Sequence, residues 1–154
     1  MQKRFTQESW SYDPFNPSLG APRIPSLRRV EYMSSIPKIG IGMPVYNSAG
    51  TVGASIESLL GQSFGDFELI VSDNASTDST RDIVERLAQQ DRRIRYVRHP
   101  ENMGANRNYS YVAHVARGQY YKWASSSDWC TPSFLEKCLI LLEQNDDAVL
   151  AAPR

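Results

Sequence analysis

Two polar clusters, each at the end of a short apolar run, have residue types that suit a bound nucleotide. Their members are Pro44, Tyr46, Asn47, Asp73, Asn74 and Ser76. A tyrosine ring offers a flat apolar face to a base, and a carboxylate accepts hydrogen bonds from a base imide or a ribose hydroxyl. Asp73 and Ser76 taken alone also fit a simple turn closed by an Asx bond. The two clusters together predict a nucleotide pocket.

A third polar segment runs from Asn102 to Tyr109 and opens a helix after a strand. Gly104 lets the backbone approach a ligand closely, and a helix N-terminus favours phosphate. Arg107 carries a guanidinium whose geometry suits phosphate, although an arginine at such a place can equally be solvated. We predict that Gly104 and Arg107 belong to the same nucleotide site.

Strands and helices alternate along the chain and would position these clusters. Strands are predicted at Ile39–Met43, Phe67–Val71, Ile94–Val97, Gln119–Ala124 and Ala148–Ala152. Helices are predicted from the apolar spacing at Val52–Leu60, Ile83–Leu87, Tyr109–Ala116 and Phe134–Leu142, with Asp78 or Ser79 capping the second, Gly118 ending the third and Thr131-Pro132 starting the fourth. Gly40 and Gly42 alternate with apolar residues where another segment could approach. This order predicts an α/β fold whose mostly parallel sheet is covered on both faces, with ligands beyond the carboxyl ends of the strands.

Composition bounds the class of protein. The chain has 154 residues, enough for one domain with a core, and its 17 Lys and Arg balance 17 Asp and Glu, so no field of one sign favours nucleic acid. Two cysteines suit a reducing compartment, and no apolar run approaches the ~20 residues of a membrane span. A cytoplasmic protein is predicted. Residues 1–37 hold five of the nine prolines and are predicted to be an extended or disordered arm, in which Phe5, Trp10, Tyr12 and Phe15 are candidates for docking.

The motifs resemble those of the inverting family 2 glycosyltransferases, which have the Rossmann-like GT-A fold. The resemblance rests on Val71–Asp78, on Pro44–Asn47 and on the Asn-x-Gly segment at Asn102, Gly104 and Asn108. It implies that Asn108 also belongs to the nucleotide site. It implies that residues 38–154 bind a nucleotide-sugar donor, usually UDP-linked. It also implies that an acceptor hydroxyl attacks the anomeric carbon with inversion, helped by a carboxylate base from the C-terminal half of such enzymes.

The loop at Ser125–Asp128 departs from the family pattern, which places an Asp-x-Asp or Asp-Asp cluster here to hold a divalent cation on the donor diphosphate. Serines stand at 125 and 127, and Asp128 is the remaining carboxylate. The resemblance implies that Asp128 belongs to the donor site. A bound Mg²⁺ or Mn²⁺ is possible, but with a weakened protein share of its ligands. Asp128 also fits a turn residue before Thr131-Pro132.

The expected function is therefore the donor-binding half of a glycosyltransferase. The GT-A domain is expected to be incomplete at its C-terminus, with the half that carries the base missing and no catalytic residue assigned. The alternative is a non-catalytic nucleotide-binding or scaffolding domain that retains the fold. The sugar, the acceptor and the oligomeric state stay open.

Overall fold

A mixed sheet with flanking helices makes up the part of the chain that the structure, a computed structural model, describes: residues 1–3 and 36–152. The elements in chain order are β1 (Gln2–Lys3), β2 (Ile39–Val45), α1 (Val52–Leu60), β3 (Phe67–Asp73), α2 (Thr80–Gln90), β4 (Ile94–Arg98), α3 (Ala105–Val115), β5 (Tyr120–Trp123) and α4 (Phe134–Gln144). The predicted alternation of strands and helices is confirmed.

The strand order is β1-β5-β2-β3-β4. Strands β2, β3, β4 and β5 are parallel, and β1 joins the edge antiparallel to β5. Val45 pairs with Asp73, so the polar clusters after β2 and β3 leave the sheet side by side. The mostly parallel α/β fold is confirmed. The predicted fifth strand at Ala148–Ala152 is wrong, because this segment forms only an isolated bridge between Leu150 and Gln2.

The two faces of β2 explain its alternating sequence. Ile39, Ile41 and Met43 are fully buried in a core that also contains apolar residues of α1, α2 and α4. The opposite face carries Gly40 and Gly42 and meets α3. A Cβ atom on Gly42 would lie 2.8 Å from the Val112 side chain of α3, and one on Gly40 would meet the backbone carbonyl oxygen of Arg117, two residues after α3 ends. The expected close approach at these glycines is confirmed, and it brings α3 directly against the sheet.

Helix α2 begins where the sequence predicted, and helix α4 begins two residues later than predicted. Ser79 occupies the N-cap position of α2, one of the two predicted residues, although its side chain makes no capping hydrogen bond. Asp78 instead accepts hydrogen bonds from the Thr80 N–H and hydroxyl. Helix α4 begins at Phe134 with Ser133 as N-cap, two residues after the proline that was predicted to open it.

The division into an arm at 1–37 and a domain at 38–154 stays a prediction. Residues 4–35, including the four aromatic docking candidates, lie outside the described residues, as do 153–154. The Met1 amino group donates to the Ala151 carbonyl at 3.2 Å. In the described ranges, no helix has the length and apolar character needed to cross a membrane.

Candidate functional site

A cleft of about 220 Å³ opens at the carboxyl ends of β2 and β3, beside the first turn of α3. Parallel strands and a helix N-terminus converge there, as expected for a ligand site in an open α/β sheet. Its walls are formed by Pro44, Val45, Tyr46, Ser48, Asn74, Asn102, Ala105, Asn108, Tyr109 and Ser126. Of the residues predicted for the nucleotide site, Pro44, Tyr46, Asn74 and Asn108 line this cleft.

In the turn after β2, Tyr46 points its ring into the cleft, whereas Asn47 makes hydrogen bonds that hold the turn in place. Tyr46 lines the cleft with 47% of its surface exposed. Asn47 adopts a left-handed backbone conformation with φ of 48°, which asparagine tolerates better than most residues. Its side-chain oxygen accepts the Thr77 N–H at 2.8 Å, and its own N–H donates to the Ser76 hydroxyl at 2.9 Å. Asn47 and Ser76 therefore join the β2 and β3 turns and do not form the cleft wall.

Asp73 is the last residue of β3 and has no exposed surface. One carboxylate oxygen accepts the Ser76 N–H at 2.8 Å, and the other accepts the Tyr96 hydroxyl at 2.7 Å and Arg98 Nη1 at 2.6 Å. The bond to the Ser76 N–H is the Asx turn that the sequence offered as the alternative. Both oxygens are engaged within the protein, so the carboxylate acts here as a structural centre for β3, β4 and the turn.

The charges of this centre are mutually stabilised. Burial opposes ionisation of Asp73, but hydrogen bonds from Ser76 and Tyr96 and the charge of Arg98 outweigh it, so the pKa of Asp73 is lowered. Burial, with the hydrogen bond to Asp73, raises the pKa of Tyr96 to about 12. At neutral pH the centre therefore holds an ionised carboxylate, a protonated phenol and a guanidinium.

A pair of asparagines ties the turn after β3 to the entry of α3. Asn74 donates to the Asn102 side-chain oxygen at 2.7 Å and accepts the Met103 N–H at 2.9 Å. The same Asn102 oxygen accepts the Gly104 N–H at 2.9 Å. Gly104 has φ of 87°, which a residue with a side chain rarely adopts, and a Cβ there would point into open space. Glycine is thus required by the backbone of this turn and does not line the cleft.

A buried polar network holds the first turn of α3 against β3. The Ser72 hydroxyl donates to the Asn108 side-chain oxygen at 2.5 Å, and the Asn108 amide nitrogen donates to the Ser72 carbonyl at 2.9 Å. His99 Nε2 lies 2.8 Å from the same hydroxyl. Burial lowers the pKa of His99, although hydrogen bonding to Asn108 and the negative charge of Asp73 oppose the shift. No local sequence signal marks His99 for this role, because its partners come from elements distant in the chain.

Arg107 and Asp128 are exposed, and neither lines the cleft. Arg107 lies in the first turn of α3, one residue before Asn108. Asp128 follows a serine loop in which Ser125 and Ser127 share a hydrogen bond of 3.0 Å between their hydroxyls. Ser126, the loop residue that does reach the cleft, donates to the Ser48 hydroxyl at 3.0 Å.

The serine loop does not fit a cation held by protein carboxylates. Asp128 is its one carboxylate, and two of its hydroxyls are bonded to each other. Among residues 1–3 and 36–152, no group of three Asp, Glu, His or Cys side chains is placed to bind a metal ion. A hard cation at this loop would take most of its ligands from elsewhere, such as phosphate oxygens.

Sequence reasoning missed several residues of the cleft wall: Val45, Ser48, Asn102, Ala105, Tyr109 and Ser126. Asn102 was part of a recognised motif, and Tyr109 was assigned to an inner helical face although 45% of its surface is exposed. An aromatic residue one turn into a helix that opens onto the cleft was the available signal. Ser48 and Ser126 carried none, since their neighbourhood arises only when β5 packs beside β2.

The family model described as glycosyl transferase family 2 matches residues 41–154. This range contains every residue of the cleft wall.

Curated relatives are longer than this chain. EpsE of Bacillus subtilis, a putative glycosyltransferase, is 34% identical over 73% of this chain and 41% of its own length. An uncharacterized glycosyltransferase of Haemophilus influenzae is 33% identical over 72% of this chain and 44% of its own length. The chain thus spans less than half the length of these relatives.

Solved structures share the fold. Residues 1–349 of S. aureus TarS in complex with UDP-GlcNAc superpose with a TM-score of 0.65, at 24% identity, over 70% of this chain and 31% of that one. At this identity the likeness concerns the fold alone.

Proposed function

The chain belongs to glycosyl transferase family 2, and from that premise we propose that it binds a nucleotide-sugar donor, most readily a UDP-sugar, in the cleft beside α3. In the proposed reaction, an acceptor hydroxyl displaces the nucleotide diphosphate from the anomeric carbon with inversion. In this proposal the chain contributes the donor-binding part. The residues that bind the acceptor, and the base that activates it, lie in the part of the longer relatives that this chain does not match.

The observation that carries the proposal is the composition of the cleft wall. An exposed tyrosine ring, Tyr46, faces the cleft from the end of β2, and the first turn of α3 forms the opposite side. Aromatic faces stack on bases, and the N–H groups of a first helical turn lack partners within the helix and favour phosphate. That turn is held in place by Asn74, which accepts the Met103 N–H, and by Asn108, which donates to the Ser72 carbonyl.

Asp73 supports the proposal indirectly. Its carboxylate fixes the turn of residues 74–76, from which Asn74 reaches the cleft. Any divalent cation would be held mainly by the donor diphosphate, with Asp128 as a minor protein ligand. No step of the proposed chemistry is assigned to a metal.

Calorimetric titration with UDP, GDP and ADP tests the proposal, and UDP is expected to bind most tightly. Tyr46→Ala should weaken UDP by about 1–3 kcal/mol, the range for loss of an aromatic ring that stacks on a base. Trp129→Ala is the matched control, since Trp129 is 69% exposed and lies outside the cleft wall. Absence of UDP binding at millimolar concentration, or equal loss in both variants, would refute the assigned pocket.

A non-catalytic nucleotide-binding domain is the second candidate, favoured by the serines at 125 and 127. Multiple-turnover release of UDP from a UDP-sugar, dependent on added acceptor, would exclude it for this chain. The anomeric configuration of any product formed then tests inversion.

A further inference from the structure

We propose that His99 is a positioning residue of the nucleotide cleft. Through Ser72 it fixes the orientation of Asn108, and so the placement of the first turn of α3 that forms one wall. The proposal deepens the function proposed above and rests on it where nucleotide affinity is concerned. The hydrogen-bond arrangement itself does not depend on that function.

The three side chains come from three separate parts of the fold and are all nearly buried. Ser72 lies in β3 and has no exposed surface, Asn108 in α3 is 2% exposed, and His99, directly after β4, is 8% exposed. Buried polar atoms are stable only when hydrogen-bonded, so each member depends on the others for its partners. The network therefore has few alternative arrangements.

The direction of every hydrogen bond follows from the backbone. The Ser72 carbonyl can only accept, so the group that faces it at 2.9 Å is the Asn108 amide nitrogen. The Asn108 oxygen therefore faces the Ser72 hydroxyl, at 2.5 Å, and receives its single proton. With that proton committed, the hydroxyl can only accept from His99 Nε2 at 2.8 Å. The geometry thus requires a proton on Nε2 of His99.

Two further contacts hold the imidazole in this orientation. The His99 backbone N–H donates to the Asp73 carbonyl at 2.9 Å. Its ring stands edge-on to Tyr111 of α3, with ring centroids 4.8 Å apart and an interplanar angle of 87°. The ring therefore contacts α3 both through Tyr111 and, by way of Ser72, through Asn108.

The consequence reaches the cleft because Asn108 lines it and lies within one turn of Ala105 and Tyr109, which also line it. Loss of the Nε2 proton donor would leave the buried Ser72 hydroxyl without the donor it accepts from, and would weaken its hold on the Asn108 side-chain oxygen. The α3 wall would then be less well ordered before the nucleotide arrives. Preorganised sites bind more tightly because less ordering accompanies binding.

The first arm of the test requires no ligand. Long-range ¹⁵N–¹H correlation spectra at pH 7.5 assign the proton to one nitrogen of each of the two histidines, His99 and His114. We expect His99 to be the neutral tautomer protonated on Nε2 and to lose that signature in Ser72→Ala. A His99 protonated on Nδ1 would overturn the proposal, whatever the protein binds.

The second arm measures UDP affinity by calorimetry in variants of His99. His99→Leu removes the donor and is expected to weaken UDP by about tenfold, a loss of roughly 1.4 kcal/mol. His99→Gln places an amide nitrogen where Nε2 lies and is expected to restore affinity to within about threefold of the unaltered chain. His114→Leu, the same change at an exposed position of α3, is the control and should leave affinity unchanged.

The results separate this inference from the proposed function. If the unaltered chain does not bind UDP, the proposed function fails. The measurement of the His99 tautomer then tests the hydrogen-bond network by itself. If UDP binds and His99→Leu, shown to be folded by its thermal transition, binds it as tightly as His114→Leu does, the positioning role is refuted. Equal weakening by His99→Gln and His99→Leu would likewise overturn it, since the hydrogen-bond donor would then be irrelevant.

Discussion

Two carboxylates follow strands of the same sheet, and their surroundings differ. Asp73 ends β3, is fully buried and receives hydrogen bonds from Ser76, Tyr96 and Arg98. Asp128 follows β5 in the serine loop, is exposed, and its carboxylate takes part in none of the hydrogen bonds found among the described residues. Both were predicted from sequence to contact the nucleotide. The comparison teaches that a carboxylate at a strand end is available to a ligand only where the fold leaves its oxygens unused.

The largest expected difference between the two carboxylates is in the free energy of unfolding after each is replaced by alanine. Asp73→Ala removes the partner of Arg98 and Tyr96 and is expected to lower the free energy of unfolding by about 2–4 kcal/mol. Asp128→Ala is expected to change it by no more than about 0.5 kcal/mol, as for an exposed residue without specific contacts. Urea unfolding of both variants measures the difference.

Equal stabilities of the two variants would contradict the structural role of Asp73. An Asp73→Ala protein that is fully stable but has lost UDP affinity would show that this carboxylate contacts the nucleotide.

The pH dependence of stability should also distinguish the buried carboxylate. Its pKa is lowered from the ordinary value of 3.8, so the unfolded chain binds the proton more readily than the native protein. The stabilisation is therefore complete above about pH 5 and is lost as the pH falls through 3.8 and below. We expect Asp73→Asn to flatten this acid limb relative to the unaltered chain, while Asp128→Asn leaves it as it was.

His99 causes a further loss of stability that begins at a higher pH, and both of these variants retain it. Its pKa is lowered from 6.5, so the unfolded chain is protonated first and stability falls as the pH drops below that value. Urea unfolding at a series of pH values resolves the two windows. An acid limb below pH 4 that is identical in Asp73→Asn and the unaltered chain would contradict the lowered pKa of Asp73.

The smallest expected effect concerns the exposed carboxylate. Adding a second carboxylate by Ser127→Asp should increase the effect of Mn²⁺ on UDP affinity by a few-fold, because a hard cation on the diphosphate would gain an oxygen ligand beside Asp128. Ser127→Asn is the uncharged control of similar size. The measurement is UDP affinity with and without Mn²⁺. Tight Mn²⁺ binding by the unaltered chain without nucleotide would show that other carboxylates hold the ion.

The fold was largely predictable because its signals are local. Apolar spacing placed β2, β3, α1 and the later elements in the right order, and the glycines of β2 indicated where another segment approaches the sheet. The strand predicted at 148–152 was wrong because pairing with another strand depends on tertiary structure and not on local sequence. The segment is apolar enough for a strand, but a strand forms only where an edge is free to pair, and Gln2 meets it at one bridge.

The sequence by itself determined the type of fold, the family resemblance and the edge of the sheet at which the cleft lies, since each follows from residues close together in the chain. Tertiary structure alone decided which polar residues line the cleft. Asp73 is engaged by Tyr96 and Arg98, 23 and 25 residues away, and Ser72 meets His99 at a separation of 27. A buried polar group takes whichever partner packing brings within hydrogen-bond distance. That partner has no signature in the local sequence.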